Sequence, residues 1–202
     1  MAETIVLYLH GKGGSAAESA HYMPLFPNCE VVGLDYKTFA PWETGTEVYA
    51  AASALKQRCE RLVLIANSIG AYFGLCAGID ALLERAYFIS PIVDMERLIL
   101  DMMAGAGVTE TELEAKREIP TAFGETLSWN YLRWVRQHPV RWNVPTEILY
   151  GGSDNLTSRD TVEAFAMAHN ARLTVMESGE HWFHTEEQMR FLDAWLTERE
   201  KG

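Results

Sequence analysis

Cysteine is scarce in this chain: Cys29, Cys59 and Cys76 are the only three in 202 residues. They lie far apart and form no C-x-x-C pair. An odd, scattered set of thiols builds no disulfide framework and fits a reducing compartment. Basic charge is the second shortage. Seventeen Lys and Arg against 28 Asp and Glu leave a formal net charge of −11, and the basic residues nowhere cluster. Neutralising phosphates or anionic headgroups needs such clusters, so nucleic acid and anionic membranes are poor partners. Long apolar runs are missing too. The first, Ile5 to Leu9, is too short for a signal peptide or a membrane span, and Met-Ala-Glu-Thr before it carries no basic residue. The expectation is a cytoplasmic protein with no membrane partner.

What the chain does contain is ample material for a core. Hydrophobic residues make up 48% and charged residues 22%, the balance of a folded domain rather than a disordered one. The length fits one domain with at most a modest insertion. Five short apolar runs predict buried strands: Thr4–His10, Glu30–Asp35, Arg61–Asn67, Arg85–Ser90 and Glu147–Gly151. A sixth, Arg172–Glu177, alternates more weakly. Continuous rather than alternating runs mark strands covered on both faces, as in a parallel sheet. Helical patterns separate them. Thr44-x-x-Glu47 has capping-box form ahead of Val48, Ala51, Ala52 and Leu55. Ile69–Ile79 suits a buried helix, and Ser158–His169 carries Val162, Phe165 and Ala166 on one face. Thr185-x-x-Gln188 opens a last helix with Met189, Leu192, Trp195 and Leu196 inward. The predicted fold is a doubly wound, mostly parallel α/β sheet over residues 1–202.

Asp94–Asn143 breaks the rhythm. It offers no convincing strand but helical pieces at Met95–Met103, Thr109–Arg117 and Ser128–Gln137. That is too long for a plain β–α connection and predicts a helical insertion over one sheet edge. Three of the six tryptophans, Trp129, Trp134 and Trp142, fall here. They either pack the insertion onto the domain or line an apolar pocket.

Four loops carry chemistry. In Ala66-Asn67-Ser68-Ile69-Gly70 a strand runs straight into Ser68, with small residues two positions either side. A tight strand–turn–helix of this kind exposes a nucleophilic hydroxyl above a sheet, and larger flanking side chains would clash. The competing role for Ser68 is to cap the helix that follows. His10-Gly11-Lys12-Gly13-Gly14-Ser15 directly follows the first strand. It is either a plain turn, a backbone cradle, or a dinucleotide fingerprint, since Gly11-x-Gly13-x-x-Ala16 is followed by Asp35 at the distance of a ribose contact. A nicotinamide-dependent oxidoreductase would then follow. Pro24 and Pro27 leave little room for its helix, however, and Ser68, Asp154 and His181 would go unexplained. Tyr150-Gly151-Gly152-Ser153-Asp154 and Ser178-Gly179-Glu180-His181 each follow a strand, where open α/β sheets build their sites. Singly, Asp154 could form a turn and His181 sit on the surface. His181-x-x-His184 has one possible metal spacing, but no third ligand motif accompanies it.

With these motifs in hand, the chain resembles the α/β-hydrolase superfamily, specifically its small, minimal-core members. The resemblance covers nearly the whole chain and puts residues 94–143 in the place of the family's lid. Ser68, Asp154 and His181 stand in the family's chain order. The family's first two strands are missing, and Ala66 replaces the usual glycine. The resemblance implies a catalytic triad of these three residues and an oxyanion hole from the backbone N–H groups of Lys12 (with Gly11 as the other choice) and Ile69. Asp94 occupies the family's other acid position. The implied activity is cleavage of a small carboxylic ester or thioester through an acyl-enzyme, as a carboxylesterase needing no cofactor and no metal. A non-enzymatic binding protein on the same fold and the oxidoreductase remain the alternatives, since a fold hosts many functions.

Overall fold

The continuous apolar runs pair side by side. The structure is a computed structural model that describes residues 2–200. Strands β1 (Ala2–Leu9), β2 (Glu30–Leu34), β3 (Cys59–Asn67) and β4 (Arg85–Ile89) join β7 (Thr146–Gly151) and β8 (Arg172–Met176) in one sheet. Its order is β2-β1-β3-β4-β7-β8, and every pair is parallel. All six predicted runs become strands. The inner strands are covered on both faces, which is why their runs are apolar, while the edge strands β2 and β8 are only partly buried. One face presents Val6, Tyr8, Val63, Ile65 and Tyr87, in one core with Tyr22, Phe26, Leu192, Trp195 and Leu196. Helices α1 (Pro41–Lys56) and α2 (Ile69–Cys76) contact β1 and β3. The chain continues through α6 (Arg159–Ala168) and ends in α7 (Glu186–Glu200). The three cysteines are free. No helix among the described residues is long and apolar enough to cross a membrane.

Two expectations about helix starts need comment. The Thr44-x-x-Glu47 capping box does not form, because α1 begins at Pro41, whose fixed φ suits the first helical position. Thr44 lies inside the first turn and donates its hydroxyl to the Thr38 carbonyl at 2.7 Å, while the Glu47 carboxylate accepts from the Lys37 N–H at 3.2 Å. At α7 the predicted pair does work. Thr185 Oγ1 accepts from the Gln188 N–H at 3.2 Å, and Gln188 Oε1 reaches back to the His184 N–H at 3.1 Å.

Residues Asp94–Val140 form a second compact unit, while Arg141 to Asn143 belong with the sheet. Trp142 is buried there, tilted against Phe88 at 5.6 Å, and donates its indole N–H to Thr146 Oγ1 at 2.7 Å. The smaller unit contains α3 (Met95–Ala106), α4 (Glu110–Lys116) and α5 (Trp129–Gln137). It also holds strands that the sequence pattern misses: β5 (Glu118–Pro120) and β6 (Thr126–Ser128) pair antiparallel. Three residues are too few for alternation to register. Trp134 of this unit stacks on His138 at 4.2 Å.

Candidate active site

Strand β3 delivers Ser68 into a strained turn with φ 53° and ψ −119°. A non-glycine residue held there costs roughly 1–3 kcal/mol, so the surroundings must impose it. They do so through tight packing. Ala66 is fully buried, and a Cβ on Gly70 would lie 2.5 Å from the Leu9 carbonyl and 2.7 Å from that of His10. Glycine is therefore required after the serine, whereas alanine suffices before it. The Ser68 N–H donates to the Ile89 carbonyl at 3.0 Å, and its own carbonyl accepts from Ile92 at 3.1 Å. Its side chain makes no capping bond to α2. Instead Ser68 Oγ lies 2.8 Å from His181 Nε2.

The histidine is aimed by two loops that touch backbone to backbone. A Cβ on Gly151 would fall 2.5 Å from the Glu180 carbonyl, and one on Gly152 would fall 2.7 Å from that of Glu177. Across this contact the Ser153 N–H donates to the Gly179 carbonyl at 2.8 Å. The glycines thus bring the ends of β7 and β8 close enough for Asp154 Oδ2 to meet His181 Nδ1 at 2.7 Å. The Asp154 side chain is 0% exposed and that of His181 18%. A buried carboxylate needs its lone pairs occupied, and Asp154 Oδ1 accepts from the Leu156 and Thr157 N–H groups at 2.7 and 3.1 Å. An ionised carboxylate only accepts, so Nδ1 must carry the imidazole proton. The Nε2 lone pair then faces the Ser68 hydroxyl. Both ring nitrogens of His181 thus have partners within the chain. His184 points elsewhere: its Nδ1 lies 2.7 Å from the Trp182 carbonyl and its ring stacks on Trp182 at 4.6 Å. Asp94 is the N-cap of α3, accepting from the Arg97 N–H at 2.9 Å.

The glycine-rich loop passes directly over the serine. A Cβ on Gly11 would lie 3.3 Å from Ser68 Cβ, and the Gly14 N–H closes a turn onto the Gly11 carbonyl at 3.1 Å. Lys12 is part of the wall of the adjoining cavity, while Ile69, the first residue of α2, is not. His10 is buried, stacks on Tyr36 at 4.1 Å, and accepts at its carbonyl from the Tyr36 hydroxyl. The dinucleotide alternative loses its crossover helix here. The loop opens into 3-10 segments at Ala16–His21 and Met23–Leu25 rather than an α-helix. Asp35 Oδ1 already accepts from the Ala16 N–H at 2.6 Å.

The cavity beside Ser68 has a volume of about 750 Å³. Its wall includes Met189, expected only to face inward, and residues that the sequence did not single out: Tyr8, Glu18, Tyr22 and Leu156. Tyr8 reads as a core residue in a strand, and Glu18 sits in a segment without helical or strand periodicity. Only Trp182 and Phe183 carry a local signal, as neighbours of His181. Burial, then the neighbouring Tyr22 and Glu18, pushes the Tyr8 phenol far above its ordinary range, so it stays a neutral donor. The thiols do not compete as nucleophiles. None is in the wall, and burial raises Cys76 to about 11.

No protein-family model and no curated protein matches the chain. Solved structures do. Est1E from Butyrivibrio proteoclasticus superimposes with a TM-score of 0.77 at 15% identity, over 98% of this chain and 87% of that one. Alpha/beta hydrolase domain-containing protein 10 from mouse gives 0.73 at 15% identity, over 98% and 89%. An esterase from Pyrococcus furiosus gives 0.61 at 17% identity, over 99% and 81%. With six parallel strands in the order above and the first of them leading into the glycine-rich loop, this chain has the α/β-hydrolase fold with a reduced core.

Proposed function

We propose that the chain is a serine hydrolase that cleaves small carboxylic esters or thioesters through an acyl-enzyme, as a carboxylesterase. The observation that carries this is the unbroken hydrogen-bonded line from Ser68 Oγ through His181 to Asp154, starting at a strained serine. A serine hydroxyl is a weak nucleophile near neutral pH, so the proton it loses must be received as the bond to carbon forms. His181 Nε2 takes that proton, and Asp154 stabilises the resulting imidazolium. The substrate's carbonyl oxygen becomes an oxyanion, held by the backbone N–H groups of Lys12 and Ile69. One such donor contributes about 3 kcal/mol to lowering the barrier. His181 then protonates the departing alkoxide or thiolate, leaving the acyl group on Ser68. Water repeats the sequence and releases the acid. The cycle uses no metal and no cofactor.

The cavity volume suits a small molecule. The chain is acidic overall, and Arg136 of the basic amphipathic helix α5 is tied to Glu96 and Glu110, which weakens attraction to anionic lipid and favours short acyl groups over long ones. Labelling with a fluorophosphonate, mapped by mass spectrometry, tests the proposal. Ser68 is expected to carry the phosphonyl group, and Ser68→Ala is expected to lose both labelling and hydrolysis of acetyl and butyryl esters. Labelling that persists in Ser68→Ala would sink it.

A further inference from the structure

Two neighbouring aromatic side chains in the cavity wall are used in opposite ways. Phe183 is 7% exposed and belongs to the core, its ring edge 3.1 Å from where a Cβ on Gly179 would lie. Trp182 is 69% exposed, the most exposed aromatic residue among those described. Yet it stands in the same wall as Ser68 and directly follows His181. A large ring left in water forfeits the burial that usually secures tryptophan. Here other contacts hold it. The His184 ring stacks on it, with centroids 4.6 Å apart and planes 20° apart. His184 Nδ1–H donates to the Trp182 carbonyl at 2.7 Å, since a carbonyl only accepts. His184 is held in turn at the start of α7, where its N–H donates to Gln188 Oε1 at 3.1 Å.

Stacking covers one face of a ring and leaves the other. His184 takes one face of Trp182, and the exposure that remains leaves the second face open. The segments that follow β7 and β8 also give the wall Leu156, Phe183 and Met189, none of them charged. The charged wall residues Lys12 and Glu18 come instead from the chain that follows β1. An open indole face held in place is matched by another flat ring, which can lie against it over its whole area. The cavity volume of about 750 Å³ accommodates such a ring beside the ester itself.

We infer that Trp182 is a stacking platform and that this cavity selects ligands carrying a flat aromatic ring. As a substrate preference this rests on the hydrolase proposal, but as a binding preference it does not. The substrate class is then a small ester or thioester with an aryl group on its acyl or alcohol side. Hydrophobic transfer alone gives the opposite ranking. A cyclohexyl group is more apolar than a phenyl group, and a cavity that merely excluded water would prefer it. A ring face also attracts cations, so an ammonium ligand is the competing occupant.

Calorimetry on the Ser68→Ala chain separates binding from turnover. Phenylmethanol and cyclohexylmethanol differ in the flatness and π-face of the ring and little in size. Phenylmethanol is expected to bind about fivefold more tightly. Trp182→Leu is expected to remove that preference, and Trp182→Phe to keep most of it. The first comparison needs no change at Trp182, so it stands even if a variant is poorly folded. Equal binding, tighter binding of cyclohexylmethanol, no saturable phenylmethanol site, or a preference unchanged in Trp182→Leu overturns the inference. So does choline binding more tightly than phenylmethanol. A second arm follows hydrolysis by the unaltered chain of methyl phenylacetate and phenylmethyl acetate, each beside its cyclohexyl counterpart. Cleavage with no aryl preference in either pair overturns the inference and leaves the hydrolase proposal standing. Aryl binding that depends on Trp182, with no ester cleaved, upholds the platform and overturns the hydrolase proposal.

Discussion

Both compact units of the chain bury apolar side chains, but the smaller adds to that burial an exposed charge network linking its helices. In the larger, parallel strands bury Ile5, Val6, Leu7, Leu62, Leu64 and Ile65 at 3% exposure or less. In the smaller, no strand exceeds three residues, and a single arginine ties three helices. Arg136 of α5 bonds Glu96 of α3 at 2.6 Å and both carboxylate oxygens of Glu110 of α4 at 2.7 and 2.8 Å. Hydrophobic burial does not respond to salt screening, whereas exposed ion pairs do. Ser68, Asp154 and His181 all follow strands of the apolar unit. The proposed triad needs its side chains held to a fraction of an ångström, and backbone packed against backbone favours that.

Two aspartates, one in each unit, give the sharpest form of the comparison. Asp154 is enclosed and receives two backbone N–H groups besides the imidazole. Asp94 caps a helix through one exposed bond. Asp154→Asn should preserve the fold and lower kcat by about 10⁴-fold, because the amide no longer enforces the imidazole tautomer. Asp94→Asn should leave kcat within about twofold, since asparagine also caps helices well. Measuring both rates beside both melting temperatures decides it. Near-normal turnover in Asp154→Asn with collapse in Asp94→Asn would move the acid's role to the smaller unit.

The next effect is on stability and lies in the sheet. A methyl group on Gly70 would press on two backbone carbonyls that cannot move without shifting β1. Gly70→Ala should cost about 3 kcal/mol, lowering the melting temperature by roughly 10 °C at this chain length. In the smaller unit a Cβ on Gly105 meets open space, so the same exchange there should not destabilise. A Gly70→Ala chain that melts like the unaltered one would show that the Ser68 turn has slack, and the strain assigned to Ser68 would be doubtful with it.

The same contrast explains what was legible beforehand. Strands covered on both faces write themselves as runs of Val, Ile and Leu, so Thr4–His10 and Arg61–Asn67 were readable to within two residues. Ser68 and Asp154 were legible as candidates because each follows such a run, and His181 because it follows the weaker Arg172–Glu177 run, with glycines where backbones must touch. Glu18 was not. Its place in the cavity depends on a pair of 3-10 segments that have no period to detect, and on a tyrosine that reads as core. The α1 start was misjudged because Thr44 and Glu47 have the composition of a cap, while Pro41 takes the first helical position three residues earlier. Strands β5 and β6 escaped because their pairing, rather than their sequence, defines them.

The smallest effect concerns Arg136 and tests whether charge rather than apolar burial organises the smaller unit. Its side chain is 34% exposed, and those of Glu96 and Glu110 are 39% and 46% exposed. Exposed pairs contribute about 1 kcal/mol or less individually, and more when geometry is bidentate and several charges are linked. Arg136→Met keeps most of the stem's packing while removing the charge. It should weaken the unit by about 1 kcal/mol, since it breaks a network and leaves only exposed carboxylates behind. Hydrogen exchange is the appropriate measurement, because local opening is invisible to a global melt. Amides of α3, α4 and α5 should exchange about fivefold faster in Arg136→Met, while those of β1 and β3 keep their protection. Raising the salt concentration should speed the same helical amides in the unaltered chain and have much less effect in the variant. If salt changes both chains equally, or if Arg136→Met leaves the helical amides as protected as before, the buried residues Leu98, Leu113, Leu127, Leu132 and Val135 hold the unit by themselves. The two units would then be stabilised in the same way.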